Sequence, residues 1–162
     1  TWIVHEFAHW LMGELLAYKM VMTLNGTYPA SGIFDEASHA LIISAAGPII
    51  TIVQATVVFA AFNVKGWYKY LYPFLFTPFY MRLLAGLMNF VNLNDEGRIG
   101  ESLGIGVFTL PLLVSGILFY MVYKTSARYN IDWKFQAITT IMVMVFSSAL
   151  ILTDQFLKVR IL

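Results

Sequence analysis

Residues 41–62 read LIISAAGPIITIVQATVVFAAF, and this stretch decides what kind of fold the chain can adopt. It contains no charged residue. As a helix it is long enough to cross the hydrocarbon core of a bilayer, which takes about 20 residues. A helix that is apolar on all of its faces has to be buried in protein or in lipid. The stretch therefore predicts a transmembrane helix.

Three further apolar stretches of similar character follow, at residues 70–91, 105–123 and 135–152, and residues 1–16 are also helical in pattern. The chain is 59% hydrophobic and 12% charged, with a mean hydropathy of +0.74. This composition is too apolar for a water-soluble globule. We therefore predict an all-α integral membrane bundle, multi-pass, with about five transmembrane helices in the lipid bilayer.

A different pattern separates the first helix from the stretch described above. Residues 18–24 favour a β-strand and lead into Asn25-Gly26, a dipeptide typical of a type I′ turn, in which both central residues take positive φ. Thr27 and Tyr28 can begin the return strand. We expect a small β-hairpin after the first helix.

The length and charge of the chain narrow the classes of partner. With 162 residues we predict one membrane-embedded domain over residues 1–162, and we expect part of the first helix to precede Thr1. The formal net charge of +1 provides no basic field for nucleic acid. Because cysteine is absent, any metal ion has to be held by histidine and carboxylate side chains.

The first candidate metal ligands and catalytic base lie in residues 5–9, which read His-Glu-Phe-Ala-His. On a helix, His5 and His9 lie one turn apart on the same face, so both imidazoles can bind one Zn²⁺. Glu6 can then act as the general base for an attacking water. Ionisable residues in a membrane helix are costly and usually mark a function. The alternative is a pair of histidines that only form hydrogen bonds between helices.

A catalytic zinc site needs a third protein ligand. Asp95 follows directly after an apolar stretch, within Asn-Leu-Asn-Asp-Glu-Gly-Arg at residues 92–98. The neighbouring Glu96 is an alternative ligand. For five further acidic residues, solvation in loops or near the ends of spans is a sufficient explanation; these residues are Asp35, Glu36, Glu101, Asp132 and Asp154.

The order of these motifs resembles the site-2 protease family of intramembrane metalloproteases. That family combines an H-E-x-x-H helix, a β-hairpin followed by A-G-P-x-x-N, and a later L-D-G motif that often reads D-G-G-R. This chain has Ala-Gly-Pro-Ile-Ile-Thr at residues 46–51 and Asp-Glu-Gly-Arg at residues 95–98. It departs from the family at Thr51, Asn94 and Glu96, where Asn, Leu and Gly are usual. The similarity covers about residues 1–100, which would form the catalytic core.

The resemblance implies a ligand set and a catalytic base. One Zn²⁺ per chain would be held by His5, His9 and Asp95, and Glu6 would be the general base. In the family an Asn upstream of the Asp helps to bind the substrate carbonyl.

Asn89, Asn92 and Asn94 are the candidates for that role here, and we favour Asn89 as a catalytic residue. Two other residues, Arg82 and His39, each have alternative roles. Arg82 lies in the middle of an apolar stretch and could form a structural ion pair or gate the substrate. His39, near Asp35 and Glu36, could be solvated or act as a gate or alternative ligand.

The implied activity is that of a zinc-dependent intramembrane endopeptidase within a metalloprotease domain. Its substrates would be transmembrane segments of membrane-anchored proteins, typically regulators, as in regulated intramembrane proteolysis. The main alternative is a membrane transporter or metal-handling protein that uses the same ligands without hydrolysis. A catalytically silent membrane scaffold is a third hypothesis. A transporter would favour polar residues on several spans and internal symmetry, and the sequence has neither.

Overall fold

A computed structural model describes residues 1–162 and shows a mostly helical chain with one small β-hairpin. A 3₁₀ turn at Lys69–Leu71 precedes the third helix. The elements are, in chain order, α1 (Trp2–Leu15), β1 (Met20–Met22), β2 (Thr27–Pro29), α2 (Ala37–Lys65), α3 (Tyr72–Met88), α4 (Asp95–Ser102), α5 (Thr109–Arg128) and α6 (Trp133–Leu157).

Four helical segments are long and apolar enough to cross a membrane, namely α2, α5, α6 and the segment Lys69–Met88 that contains α3. These four correspond to the four long apolar stretches of the sequence, so that part of the prediction is confirmed for length and composition. Helix α1 has 14 residues, fewer than the roughly 20 that a crossing needs. The prediction of about five spans is therefore confirmed for four helices, by length and composition. The short helix α4 was not predicted.

The predicted hairpin is present, and β1 pairs with β2 in antiparallel fashion through Met20↔Pro29, Val21↔Tyr28 and Met22↔Thr27. The expected type I′ turn is wrong, because neither Asn25 nor Gly26 has a positive φ.

Contacts from outside the hairpin hold its turn instead. Trp2 Nε1 donates a hydrogen bond to Asn25 Oδ1 at 2.6 Å. The carboxylate of Asp154 in α6 accepts a hydrogen bond from the Leu24 amide at 2.9 Å. The Thr23 hydroxyl lies 3.1 Å from both Asp154 Oδ2 and the Gly26 carbonyl oxygen, which are alternative acceptors. These tertiary contacts replace the local turn propensity that favoured type I′ geometry.

The outer edge of β1 is also paired. The Met22 amide donates to the carbonyl of Leu162 at 3.0 Å, and the Ile161 amide donates to the carbonyl of Met22 at 2.8 Å. Met20 donates its amide to Glu14 Oε1 of α1 at 2.8 Å. Buried backbone groups have to be hydrogen-bonded, and these contacts satisfy the groups on this edge of the strand.

The chain forms two compact units, and α2 and α6 contribute residues to both of them. The first comprises residues 1–51 and 146–162, and the second comprises residues 52–145. In the second unit, α3 packs on α5 around an aromatic and aliphatic core. The most buried members of that core are Ala55, Phe62, Tyr72, Leu75 and Leu118. The prediction of one domain over residues 1–162 stays a prediction.

In the first unit, α1 packs directly on the hairpin. A Cβ atom on Gly13 would lie 2.5 Å from the Met20 side chain, which is 2% exposed. A glycine at this position therefore lets β1 approach α1 closely. The hairpin is thereby fixed beside the helix that carries residues 5–9.

Replacement of Asp154 by alanine tests how the hairpin is held. The change removes the acceptor for the Leu24 amide and one of the two alternative acceptors for the Thr23 hydroxyl, at a cost of about 1–3 kcal/mol. We expect hydrogen exchange of the Leu24 amide to become roughly tenfold faster or more, because opening of the turn becomes easier. Asp35→Ala, a change at an exposed carboxylate, is the control. Unchanged exchange at Leu24 would show that the turn does not depend on α6.

Candidate metal centre

His5 and His9 lie one turn apart on α1 and are 4% and 6% exposed. Their Nε2 atoms are 3.1 Å apart. Two nitrogen ligands of one tetrahedral zinc ion, each 2.0–2.1 Å from the metal, would be about 3.3 Å apart. The spacing between the imidazoles therefore matches a shared metal ion.

Hydrogen bonds determine which nitrogen of each ring carries a proton. His9 Nδ1 lies 2.6 Å from the carbonyl oxygen of Ile43. Because a carbonyl oxygen only accepts hydrogen bonds, His9 Nδ1 carries a hydrogen and donates it. The neutral ring then has a lone pair on Nε2.

The same reasoning applies to His5 through a chain of two hydrogen bonds. The Thr51 hydroxyl donates to the carbonyl oxygen of Gly47 at 2.9 Å. Its single hydrogen is thus used, so the hydroxyl accepts from His5 Nδ1 at 3.1 Å. In the neutral form of the ring, His5 Nε2 is then the unprotonated nitrogen. Metal-binding histidines commonly donate their second ring N–H in this way.

Gly47 allows α2 to approach the two rings. A Cβ atom at this position would overlap the His9 ring and lie 2.7 Å from His5 Nδ1. No larger residue fits there without movement of the histidines. The close approach of the two imidazoles therefore explains why residue 47 is a glycine.

Glu6 is 8% exposed and lies on the same helical turn as the histidines. The Thr27 hydroxyl lies 3.1 Å from Glu6 Oε2 and 3.0 Å from the Glu6 carbonyl oxygen. Since a hydroxyl has one hydrogen, these are alternative acceptors. β2 thus supplies a side chain that orients the carboxylate of Glu6.

Asp95 is the first residue of α4, which Asn94 caps by accepting the Gly97 amide hydrogen at 2.6 Å. Asp95 Oδ1 accepts a hydrogen bond from Arg98 Nη2 at 2.7 Å. The side chain of Asp95 is 16% exposed and that of Arg98 is 54% exposed. Arg98 therefore fixes the orientation of the Asp95 carboxylate.

His5, His9 and Asp95 are the three metal ligands that the sequence predicts, and that ligand set stays a prediction. Two imidazoles and one carboxylate are a donor set found in catalytic zinc sites. The alternative ligand Glu96 forms a buried ion pair within its own unit, because its Oε1 accepts a hydrogen bond from Arg82 Nη1 at 2.8 Å.

The side chain of Asn89, which the sequence predicts to contact the substrate, forms hydrogen bonds that hold the turn before α4. Its Oδ1 accepts the Asn94 amide hydrogen at 2.7 Å, and its Nδ2 donates to the carbonyl of Val107 at 2.9 Å. A Cβ atom on Gly97 would lie 2.7 Å from the Asn89 amide nitrogen. Asn92 is exposed. A role of Asn89 in binding the substrate carbonyl stays a prediction.

His39 contacts two other side chains. It lies 3.0 Å from the Tyr18 hydroxyl and 3.5 Å from Glu36, and it is not part of the His5–His9 pair. Sequence reasoning missed the supporting roles of Thr27, Thr51 and the Ile43 carbonyl. Of these three residues, only Thr51 stood out in the sequence, because it departs from the A-G-P-x-x-N pattern.

No protein-family model matches this chain, and no curated protein or solved structure shows detectable similarity to it. The chemistry that the chain can perform therefore has to be inferred from its own residues.

The change Thr51→Val tests the hydrogen bond that orients His5. Valine keeps the shape of the side chain but cannot accept from His5 Nδ1, so the ring loses its fixed tautomer and orientation. Loss of such a partner typically weakens metal binding by about 10–100-fold. We expect this loss in a zinc titration against a competing chelator.

Thr56→Val is the matched control for that titration. Thr56 is on the same helix and its hydroxyl donates to the Ile52 carbonyl four residues earlier, as Thr51 does to Gly47. The control should bind zinc with the affinity of the unmodified chain. Equal affinities in both variants would contradict the role of Thr51.

Proposed function

We propose that this chain is a membrane-embedded zinc metalloprotease domain that hydrolyses peptide bonds. Its motifs are similar to those of the site-2 proteases, and we propose the same kind of activity, cleavage of transmembrane segments. One observation carries the proposal. Two buried imidazoles on one helical turn bring their Nε2 atoms to 3.1 Å, and the carboxylate of Glu6 lies on the same turn.

The proposed ligands are His5, His9 and Asp95, with one Zn²⁺ per chain. The donor set supports zinc, because catalytic zinc sites use three protein ligands from histidine and carboxylate and keep one position open. When bound, Zn²⁺ would supply Lewis acidity that polarises a carbonyl and acidifies water. Thr51 and Ile43 contact the Nδ1 atoms of His5 and His9, so the two Nε2 atoms are the proposed ligand atoms.

Glu6 is the proposed general base and later the general acid. Its carboxylate accepts a proton from the attacking water and then donates a proton to the nitrogen of the departing amine. The hydroxyl of Thr27 supports this role, because one of its two alternative acceptors is a carboxylate oxygen of Glu6, at 3.1 Å. Burial of Glu6 in a low-dielectric site further strengthens its interactions with developing charge.

The proposed substrate is a transmembrane segment of another membrane-anchored protein. Support comes from the four helices that are long and apolar enough to span a bilayer. A helical substrate has to unwind before its peptide bond can be attacked, and the hairpin could pair with the extended chain by β-augmentation. Asn89 donates one Nδ2 hydrogen to Val107, and its second Nδ2 hydrogen would be the donor to a substrate carbonyl.

The change Glu6→Gln separates hydrolysis from metal binding. Glutamine keeps the shape and hydrogen bonding of the side chain but cannot take a proton from water. We expect unchanged zinc content, while cleavage of transmembrane reporter substrates in lipid vesicles falls by about 10²-fold or more.

Glu14→Gln makes the same chemical change on the same helix, at an exposed carboxylate that accepts the Met20 amide, and should keep most of the activity. Two outcomes would contradict the proposal. One is cleavage that survives in Glu6→Gln. The other is an unmodified protein that cleaves no substrate and instead transports metal ions or solutes in vesicles, which would favour the transporter alternative.

A further inference from the structure

The direction of the Asp95 side chain depends on how α4 is anchored. The helix has eight residues, and Asp95 is the first of them. A helix this short is not stable by itself, so its position is set by tertiary contacts. Any contact that fixes its first turn therefore also fixes Asp95.

The strongest charged contact of this turn joins α4 to α3. Arg82 Nη1 and Glu96 Oε1 are 2.8 Å apart, and both side chains are 4% exposed. The contact is a charge-assisted hydrogen bond between two fully buried ions. Arg82 lies in an apolar helix in which every other residue is uncharged. The pair is therefore confined to one arrangement by the cost of leaving either charge buried alone.

The geometry of the pair indicates that it sets position and does not maximise stability. Arg82 Nε and Glu96 Oε2 are both buried without a hydrogen-bond partner. The two side chains thus meet through one bond and not through the bidentate arrangement that arginine prefers with carboxylates. Buried ion pairs contribute little net stability, and their best-supported use is to specify register.

A second set of contacts holds the same turn from the α3–α4 connection. The Asn89 side chain accepts the Asn94 amide hydrogen, and Gly97 allows close approach to the Asn89 amide. Asn94 in turn caps α4 through the Gly97 amide. The turn is therefore fixed by neutral hydrogen bonds at its backbone and by the ion pair at the side chain next to Asp95.

We propose that Arg82 and Glu96 are positioning residues for Asp95, the carboxylate among the three proposed zinc ligands. The proposal rests on the proposed zinc-dependent function. Arg82 holds Glu96 against α3, which fixes the rotation of α4 about its axis and hence the direction of Asp95. Arg82 also neutralises the carboxylate of Glu96. Asp95, and not Glu96, is therefore the proposed carboxylate ligand. This accounts for the occurrence of both charged residues in a chain with few of them.

The test measures zinc affinity and the visible spectrum of the Co²⁺-substituted protein, which reports ligand geometry. Arg82→Met should weaken zinc binding by about 10–100-fold, as expected for loss of a group that orients a metal ligand. The Co²⁺ spectrum should change in intensity or position. Arg128→Met is the matched control, because Arg128 is exposed and contacts Asn63. The control should leave affinity and spectrum unchanged.

Two conservative variants cover the case in which Arg82→Met does not fold. Arg82→Lys and Glu96→Asp keep both charges but shorten the reach of one partner, so α4 has to move to keep the contact. Each should weaken zinc binding roughly tenfold and alter the Co²⁺ spectrum. A purely structural role would lower the unfolding temperature and leave both metal readouts unchanged in the folded protein. That result, in Arg82→Met or in both conservative variants, would overturn the proposal.

Asp95→Ala separates failure of this inference from failure of the proposed function. If the unmodified chain binds zinc and Asp95→Ala does not, the metal site stands and the Arg82 variants decide the positioning role. If the unmodified chain binds no zinc, or Asp95→Ala binds it with equal affinity, the proposed ligand set is wrong and this inference fails with it.

Discussion

The site depends on one constraint, the close approach of two imidazoles in a buried place. The Nδ1 atoms of His5 and His9 face oxygen acceptors, and the two Nε2 atoms lie 3.1 Å apart. Two ring nitrogens at this distance need a proton or a metal ion between them, because two lone pairs would repel each other. A proton or a metal ion satisfies the constraint. The neighbouring Glu6 and the His₂Asp donor set make zinc the ion that we propose.

Neutral contacts orient the two histidines, whereas charged contacts hold Asp95 and the turn that carries it. The histidines are oriented by a hydroxyl and a carbonyl at their Nδ1 atoms, which leaves the Nε2 atoms as the proposed metal ligands. The carboxylate of Asp95 is oriented by Arg98, and the turn that carries it is anchored by the Arg82–Glu96 pair. A protein with 12% charged residues thus concentrates several of them near its proposed ligands. Such placement is expected where charge serves a function and not solubility.

Local patterns predicted the parts of the structure that depend on neighbouring residues. The long apolar helices follow from hydropathy, and the spacing of His5 and His9 follows from helical periodicity. Non-local contacts explain the failures. The turn after β1 is held by Trp2 and Asp154, and no pattern at Asn25-Gly26 contains that information. Helix α4 was missed because most of its eight residues are polar or glycine and its anchor lies on another helix.

X-ray absorption at the zinc K-edge of the purified protein is the most direct test of the central claim. The proposed site predicts stoichiometric zinc with nitrogen and oxygen ligands at about 2.0–2.1 Å. Outer-shell scattering should correspond to two imidazoles, and to one in His9→Ala if that variant retains metal. Absence of stoichiometric zinc from protein prepared with the metal, or a zinc shell without imidazole scattering, would contradict the account.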